Sequence, residues 1–264
     1  MLDLTRSHIT DKVWLEATSR CNLRCTYCHL SHEDIPEVDI DFTHFDRFID
    51  SLKARHTREL IFNGRGENSF LDGWHTIVGR ALDIGLEVTA VTNLSRPYTD
   101  EELEAFSRYA SITVSVDTTD PAVFRAIRRK ADIGLVLNNM LRLRAMALAR
   151  GRTPPEFVWN MIVHSHSMLD LVRSVSEGIA VGVDRFHLSV LGETPELPGA
   201  LTPRQIDKFS AAQFAEGLDQ IAKARRMVDA AGRKITMSFG LDGLIANLCR
   251  RWGIGERPAL ELTG

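Results

Sequence analysis

Val13-Trp-Leu-Glu-Ala17-Thr-Ser-Arg-Cys21-Asn-Leu-Arg-Cys25-Thr-Tyr-Cys28-His29 reads as a short apolar strand running directly into a loop that carries three cysteines. Three thiolates at CxxxCxxC spacing can hold three corners of a four-iron cluster, whereas a closed ferredoxin-type cluster needs four, so one iron is left open. Other chemistries fit parts of the loop. Zinc could take the three thiolates with His29 or His32 as fourth ligand. Cys25-Thr-Tyr-Cys28-His29 matches the haem-attachment pattern CxxCH. A CxxC redox pair of the thioredoxin kind is the third alternative.

Outward from the loop the chain alternates strand and helix. Strands are predicted at Val13 to Ala17, Glu59 to Phe62, Glu87 to Thr92, Ser111 to Val116, Phe157 to Val163 and Arg185 to Val190, all short and apolar. Helical periodicity lies between them at Phe42 to Arg55, Trp74 to Ile84, Thr99 to Tyr109, Pro121 to Arg150 with a break near Asp132, and Met168 to Val181. Thr99-Asp-Glu-Glu102 is a capping-box pattern, and Asp120-Pro121 gives an N-cap followed by proline at the first helical position. Such alternation predicts an α/β fold with a parallel sheet, because parallel strands need crossover connections. A ligand would then sit at the carboxyl ends of the strands, where the cysteine loop lies. No GxGxxG follows the first strand, which disfavours a dinucleotide-binding sheet.

Farther on, Thr202 to Ala231 reads as one long helix with Thr202 as N-cap, Lys234 to Phe239 as a further strand and Leu241 to Arg250 as a short helix, before a turn-rich tail from Trp252. No linker or repeat interrupts the chain. The expectation is a core over residues 1–200 with a C-terminal extension, 201–264, packed on it.

The chain has 264 residues, 44% hydrophobic and 25% charged, with a formal net charge of −3. That balance gives no footprint for nucleic acid or an anionic membrane. The basic runs Arg125 to Lys130 and Leu141 to Arg152 carry helix-spaced apolar residues and read as solvated helix faces. The start, Met1 to His8, lacks a basic region followed by an apolar stretch, and no apolar run is long enough to span a bilayer, so a cytoplasmic protein is expected. Three of the four cysteines fall within eight residues, which is unlike a disulfide framework.

The cysteine loop, with an aromatic residue before the third cysteine and a strand before the first, resembles the cluster loop of radical S-adenosylmethionine (radical SAM) enzymes, and the core resembles their SPASM-type branch. The resemblance covers approximately Val13 to Leu191. It implies a partial (β/α)6 barrel with a mostly helical C-terminal extension, a [4Fe-4S] cluster on Cys21, Cys25 and Cys28, and S-adenosylmethionine chelated to the fourth iron. Tyr27 would belong to the cofactor site. Phe62-Asn-Gly-Arg-Gly66-Glu67 is similar to the family's Gly-Gly-Glu motif, with Glu67 expected to meet the cofactor's amino group, Gly66 on the second glycine and Arg65 departing at the first. Asn93, Ser115 and Asp117 match polar strand ends that meet ribose and methionine carboxylate, and Arg128 is a candidate partner for that carboxylate. Turn formation and helix capping are the structural alternatives for Asn93 and Asp117.

The chemistry implied is reductive cleavage of S-adenosylmethionine to a 5'-deoxyadenosyl radical that abstracts hydrogen from a small-molecule or peptide substrate, with electrons from flavodoxin or ferredoxin. A non-catalytic zinc-binding scaffold is the alternative. No catalytic side chain is named by the sequence. On the fifth strand, alternation sends Asn160, Ile162 and His164 to one face, polar enough to line a pocket, while hydrogen-bonded structural roles are expected for His164, His166 and His187. With only Cys249 beyond the loop, no auxiliary cluster can be completed within the sequence: either one cluster is used, or the chain is a shortened form of a longer one.

Overall fold

The computed structural model describes residues 11–193, 197 and 199–254. The segment Met1 to His8 and the tail beyond Ile254 lie outside the described residues. Nine strands and eight helices are described, β1 Lys12–Leu15, β2 Arg24–Cys25, α1 Phe45–Ala54, β3 Glu59–Phe62, α2 Trp74–Asp83, β4 Glu87–Thr92, α3 Asp100–Phe106, β5 Ser111–Ser115, α4 Pro121–Ile127, β6 Arg128–Arg129, α5 Ile133–Ala149, β7 Glu156–Val163, α6 Leu171–Ala180, β8 Arg185–Val190, α7 Ala211–Ala230, β9 Lys234–Met237 and α8 Phe239–Trp252.

Seven of the strands form one all-parallel sheet in the order β1-β3-β4-β5-β7-β8-β9. They stand in chain order. A doubly wound sheet reverses direction at a switch point, whereas strands added always on the same side build a barrel wall. Here β1 and β9 are both edges, so the wall is partial. The seventh strand, β9, comes from the expected C-terminal extension, which therefore enters the main sheet.

Alternation along the strands makes two environments. Leu60, Phe62, Val88, Ala90, Ile112 and Val114 are buried and face the helix layer, where Trp74 of α2 stacks on Phe62 with ring centroids 6.1 Å apart. The Trp74 indole N–H donates to the Glu102 carboxylate at 2.8 Å, which satisfies the polar end of a fully buried ring. Val91, Ser115, Asn160 and Ile162 lie on the inner side and are only partly buried. That side holds the site.

The local start signals hold. Thr99 and Glu102 exchange the two bonds of a capping box, Asp120 accepts from the N–H groups of Ala122 and Val123, and Asp132 caps α5 at the expected break. The long helix expected from Thr202 begins later. Ser210 is its N-cap, with a reciprocal box to Gln213, and α7 starts at Ala211. The intervening stretch buries Ile206 and Phe209 in the core and ties Arg204 to the end of β7 through a Ser165 N–H to Arg204 carbonyl bond of 2.9 Å. Tertiary burial chose between two chemically equivalent caps.

A candidate cofactor cleft at the cysteine loop

The loop after β1 is held from four directions. The Asn68 side chain, almost fully buried, accepts from the N–H groups of Ala17 and Thr18 at 2.9 and 3.3 Å and donates to the Leu15 carbonyl at 3.1 Å. Asn22 donates to the Ser95 carbonyl at 3.0 Å, and Asn93 donates to Asn22 at 2.9 Å. The ribbon β2–β6 pairs Cys25 with Arg128, and the Thr26 N–H donates to the Ile127 carbonyl at 2.8 Å. These contacts join residues 50 to 103 positions apart, and neither Asn68 nor Asn22 carries a motif that sequence reasoning could have found.

Cys21, Cys25 and Cys28 all line one cleft of about 200 Å³ at the carboxyl ends of the strands. Burial pushes the thiols of Cys21 and Cys25 up to about 11 and about 12. Binding to iron reverses this, since a metal's charge favours thiolate. The Asn93 amide lies 3.8 Å from the Cys21 sulfur and the Leu23 N–H donates to it at 3.4 Å, contacts suited to a thiolate acceptor. Among the described residues no three His, Cys, Asp or Glu side chains converge tightly enough to hold a single metal ion. The His32 ring is engaged through Nε2 with the Thr26 carbonyl at 2.7 Å. Three thiols on one cleft are a donor set that fits three corners of a four-iron cluster.

The glycine loop after β3 forms the facing wall: residues 63–67 line the cleft. Gly66 is required there by its own chain. A Cβ on it would come within 2.4 Å of the carbonyl oxygens of both Thr18 and Arg20, so the two loops pack main chain against main chain. The carboxylate of Glu67 is buried and already accepts four hydrogen bonds. One oxygen takes the Ser69 N–H at 3.3 Å, the Ser69 hydroxyl at 2.7 Å and the Thr92 hydroxyl at 2.8 Å, and the other takes the Asn93 N–H at 2.7 Å. Glu67 thus staples this loop to the end of β4 while also lining the cleft. Arg65 turns to Glu16, which accepts from its N–H at 2.7 Å.

Asp117 departs from expectation. It is buried, does not line the cleft, and receives both guanidinium nitrogens of buried Arg128 at 3.0 Å, the Tyr27 hydroxyl at 2.6 Å and the Ile162 N–H at 3.2 Å. Burial alone would raise its carboxyl; the Arg128 charge, with the hydrogen bonds from Arg128 and Tyr27 and the nearby His164, together outweigh that and hold it below the ordinary range. Arg128 is therefore committed to Asp117, although part of it reaches the cleft. Tyr27, Asn93 and Ser115 line the cleft as expected, together with Thr92, Asn160 and Ile162. Asn93 takes the turn role expected as its structural alternative, its carbonyl oxygen accepting the Ser95 N–H at 2.8 Å, while its amide faces the cysteine loop. His164 is wholly buried, its Nδ1 accepting from the N–H groups of His166 and Ser167 at 3.2 and 3.3 Å. His187 shares a hydrogen bond with Thr236 at 2.9 Å, while His166 donates its main-chain N–H to His164 and meets that ring edge-on at 6.1 Å between centroids.

A singly wound parallel sheet with a three-cysteine loop and a glycine loop sharing one cleft at its carboxyl end defines an α/β partial barrel with a thiol-lined pocket at its mouth. The family follows from comparison: the model described as "Radical SAM superfamily" matches residues 15–164, and the chain belongs to that family of enzymes. Among curated proteins it is 27% identical over 197 residues to GTP 3',8-cyclase of Rhodopseudomonas palustris (strain TIE-1), covering 70% of this chain and 55% of that protein. It is 27% identical over 147 residues to the S-adenosylmethionine-dependent nucleotide dehydratase of Selenomonas ruminantium, covering 54% of this chain and 52% of that one. The chain spans about half the length of the curated relatives it matches. Among solved structures, Streptococcus suis SuiB bound to S-adenosylmethionine superposes with a TM-score of 0.65 at 13% identity, over 88% of this chain and 50% of that one. The anSMEcpe structure with bound AdoMet and Kp18Cys peptide superposes at 0.61 and 13%, over 91% and 66%. These likenesses establish the α/β partial-barrel fold. Among the described residues no helix is long and apolar enough to cross a membrane.

Proposed function

We propose that this enzyme binds a [4Fe-4S] cluster on Cys21, Cys25 and Cys28, binds S-adenosylmethionine across the cleft, and abstracts hydrogen from a small-molecule substrate, a nucleotide. One observation carries the reading: the three cysteines and the glycine loop share a single cleft with the ends of β4, β5 and β7. When bound, the cluster and its cofactor supply a 5'-deoxyadenosyl radical, delivered after one electron arrives from a flavodoxin- or ferredoxin-type donor. The chain's own groups do the rest. Main chain 63–66 receives the cofactor's ammonium group, Ser115 and Asn160 offer hydroxyl and amide groups to the ribose, and Asn93 orients Cys21. Val91, Ile162 and Leu23 make apolar wall that keeps water and stray hydrogen donors away.

A nucleotide is favoured over a peptide because the relatives found by sequence, at 27% identity, are named for GTP and nucleotide chemistry. The likeness to anSMEcpe with its bound peptide rests on fold at 13% identity. The test is anaerobic reconstitution with iron and sulfide, then dithionite and S-adenosylmethionine with a panel of nucleoside triphosphates. Expected are a brown protein and 5'-deoxyadenosine whose yield rises with one nucleotide. A colourless protein holding one zinc and forming no 5'-deoxyadenosine sinks the proposal.

A further inference from the structure

The basic run Arg125 to Lys130 is not the continuous helix face that its periodicity suggests. Helix α4 stops at Ile127, and Arg128–Arg129 become β6, paired with the cysteine loop. The strand sends its two arginines to different places. Arg128 lines the cysteine cleft, whereas Arg129, with Arg125 and Ala126, lines a separate cavity of about 240 Å³ closed by Gly199, Ala200 and Leu201. Both walls are segments leaving the carboxyl ends of strands, one after β5 and one after β8, so the cavity opens on the same rim as the cleft. The two arginines are consecutive residues of β6, so the cleft and the cavity lie on either side of that strand.

The charges on this cavity are not spent. Arg129 is exposed and forms no ion pair among the described residues, and Arg125 pairs with Asp132 at 3.3 Å across solvent, an arrangement of little strength. No carboxylate is among the described residues lining the cavity, and the wall facing the arginines is Gly199, Ala200 and Leu201, without a charged side chain. Guanidinium forks on a concave surface match the paired oxygens of phosphate, and the volume is several times the roughly 30 Å³ share of one water.

We propose that this groove anchors the polyphosphate tail of the substrate, with the reacting nucleoside end passing Arg128 into the cysteine cleft. The proposal rests on the nucleotide reading above, and names the residues that would select a phosphorylated substrate over the free nucleoside: Arg129 first and Arg125 second.

The test is calorimetric titration of the reconstituted holoenzyme with inorganic tripolyphosphate, then with GTP, ATP and the corresponding nucleosides. Arg129→Ala, Arg129→Gln and Arg125→Ala/Arg129→Ala are compared with Arg58→Ala, whose exposed pair with Asp11 lies at the opposite end of the sheet. Expected are tripolyphosphate binding that weakens at least tenfold in Arg129→Ala and Arg129→Gln, further in the double variant, and not in Arg58→Ala. The Gln variant, which keeps most of the side chain's bulk, guards against loss of fold. Unchanged tripolyphosphate affinity in the double variant, or none in the wild type, overturns the groove. Nucleotide turnover with the same KM in the double variant rejects the groove while the nucleotide reading stands. Arginine-dependent tripolyphosphate binding with no nucleotide turned over keeps the groove and rejects that reading.

Discussion

Arg128 and Asp117 face each other as a buried two-pronged pair, 3.0 Å on each prong, with Arg128 at the same time the strand partner of Cys25. The pair locks the cysteine loop from behind. Asp117→Asn leaves a buried guanidinium uncompensated, a loss of about 3 to 5 kcal/mol, whereas Asp117→Leu combined with Arg128→Met removes both charges and recovers much of it. Denaturant unfolding of the iron-free protein measures this. Iron bound per chain should fall in Asp117→Asn even where the fold survives; a variant with full iron and unchanged stability contradicts the lock.

Gly66→Ala tests the main-chain contact between the two loops. Its methyl group would overlap the carbonyls of Thr18 and Arg20, which are backbone and cannot rotate away. We expect a loss of about 1 to 3 kcal/mol and a cofactor affinity reduced severalfold, read by equilibrium dialysis of S-adenosylmethionine. Gly232→Ala, at a turn with φ 63 and open space around it, should leave cofactor affinity unchanged.

Serine at Cys21, Cys25 or Cys28 should each remove the visible absorption of the reconstituted cluster. Cys249 is buried within α8 and is not one of the residues lining the cleft. Cys249→Ala should keep full cluster content while losing some stability through its lost packing. Cluster loss in that variant alone would redraw the ligand set.

His164 predicts an acid limb in stability. Burial depresses its folded pKa to about 4, and its Nδ1 is occupied as an acceptor, so the folded protein holds it neutral. The unfolded chain binds the proton near pH 6.5, so the stabilising contribution is complete above that pH and is lost as pH falls toward 4. Between pH 6.5 and 5 the loss is about 2 kcal/mol. Unfolding midpoints of the wild type and His164→Asn across that range should converge as pH falls; parallel curves would exclude His164 as the source.

Elements written in local chemistry were legible from the sequence. The strands, the cap at Thr99, the break at Asp132 and the three thiols need only neighbours within a few residues. What was not legible was arranged by distant partners. Glu67 finds two of its donors in its own loop, on Ser69, but the other two come from Thr92 and Asn93, about 25 residues on, and only the fold brings them to it. Asp117 looked like a ribose partner because the hydroxyl that claims it, on Tyr27, is 90 residues away. Thr202 and Ser210 offer the same cap, and only the burial of Ile206 and Phe209 between them decides which one a helix uses.

The described lining of the cysteine cleft is unevenly encoded: fifteen of its seventeen residues fall between Cys21 and Arg128, and only Asn160 and Ile162 come from later in the chain. The described lining is therefore concentrated in the first half of the chain, and of the later strands only β7 reaches it. A lineage could rewrite that second half to suit a new substrate and pass the first half on intact.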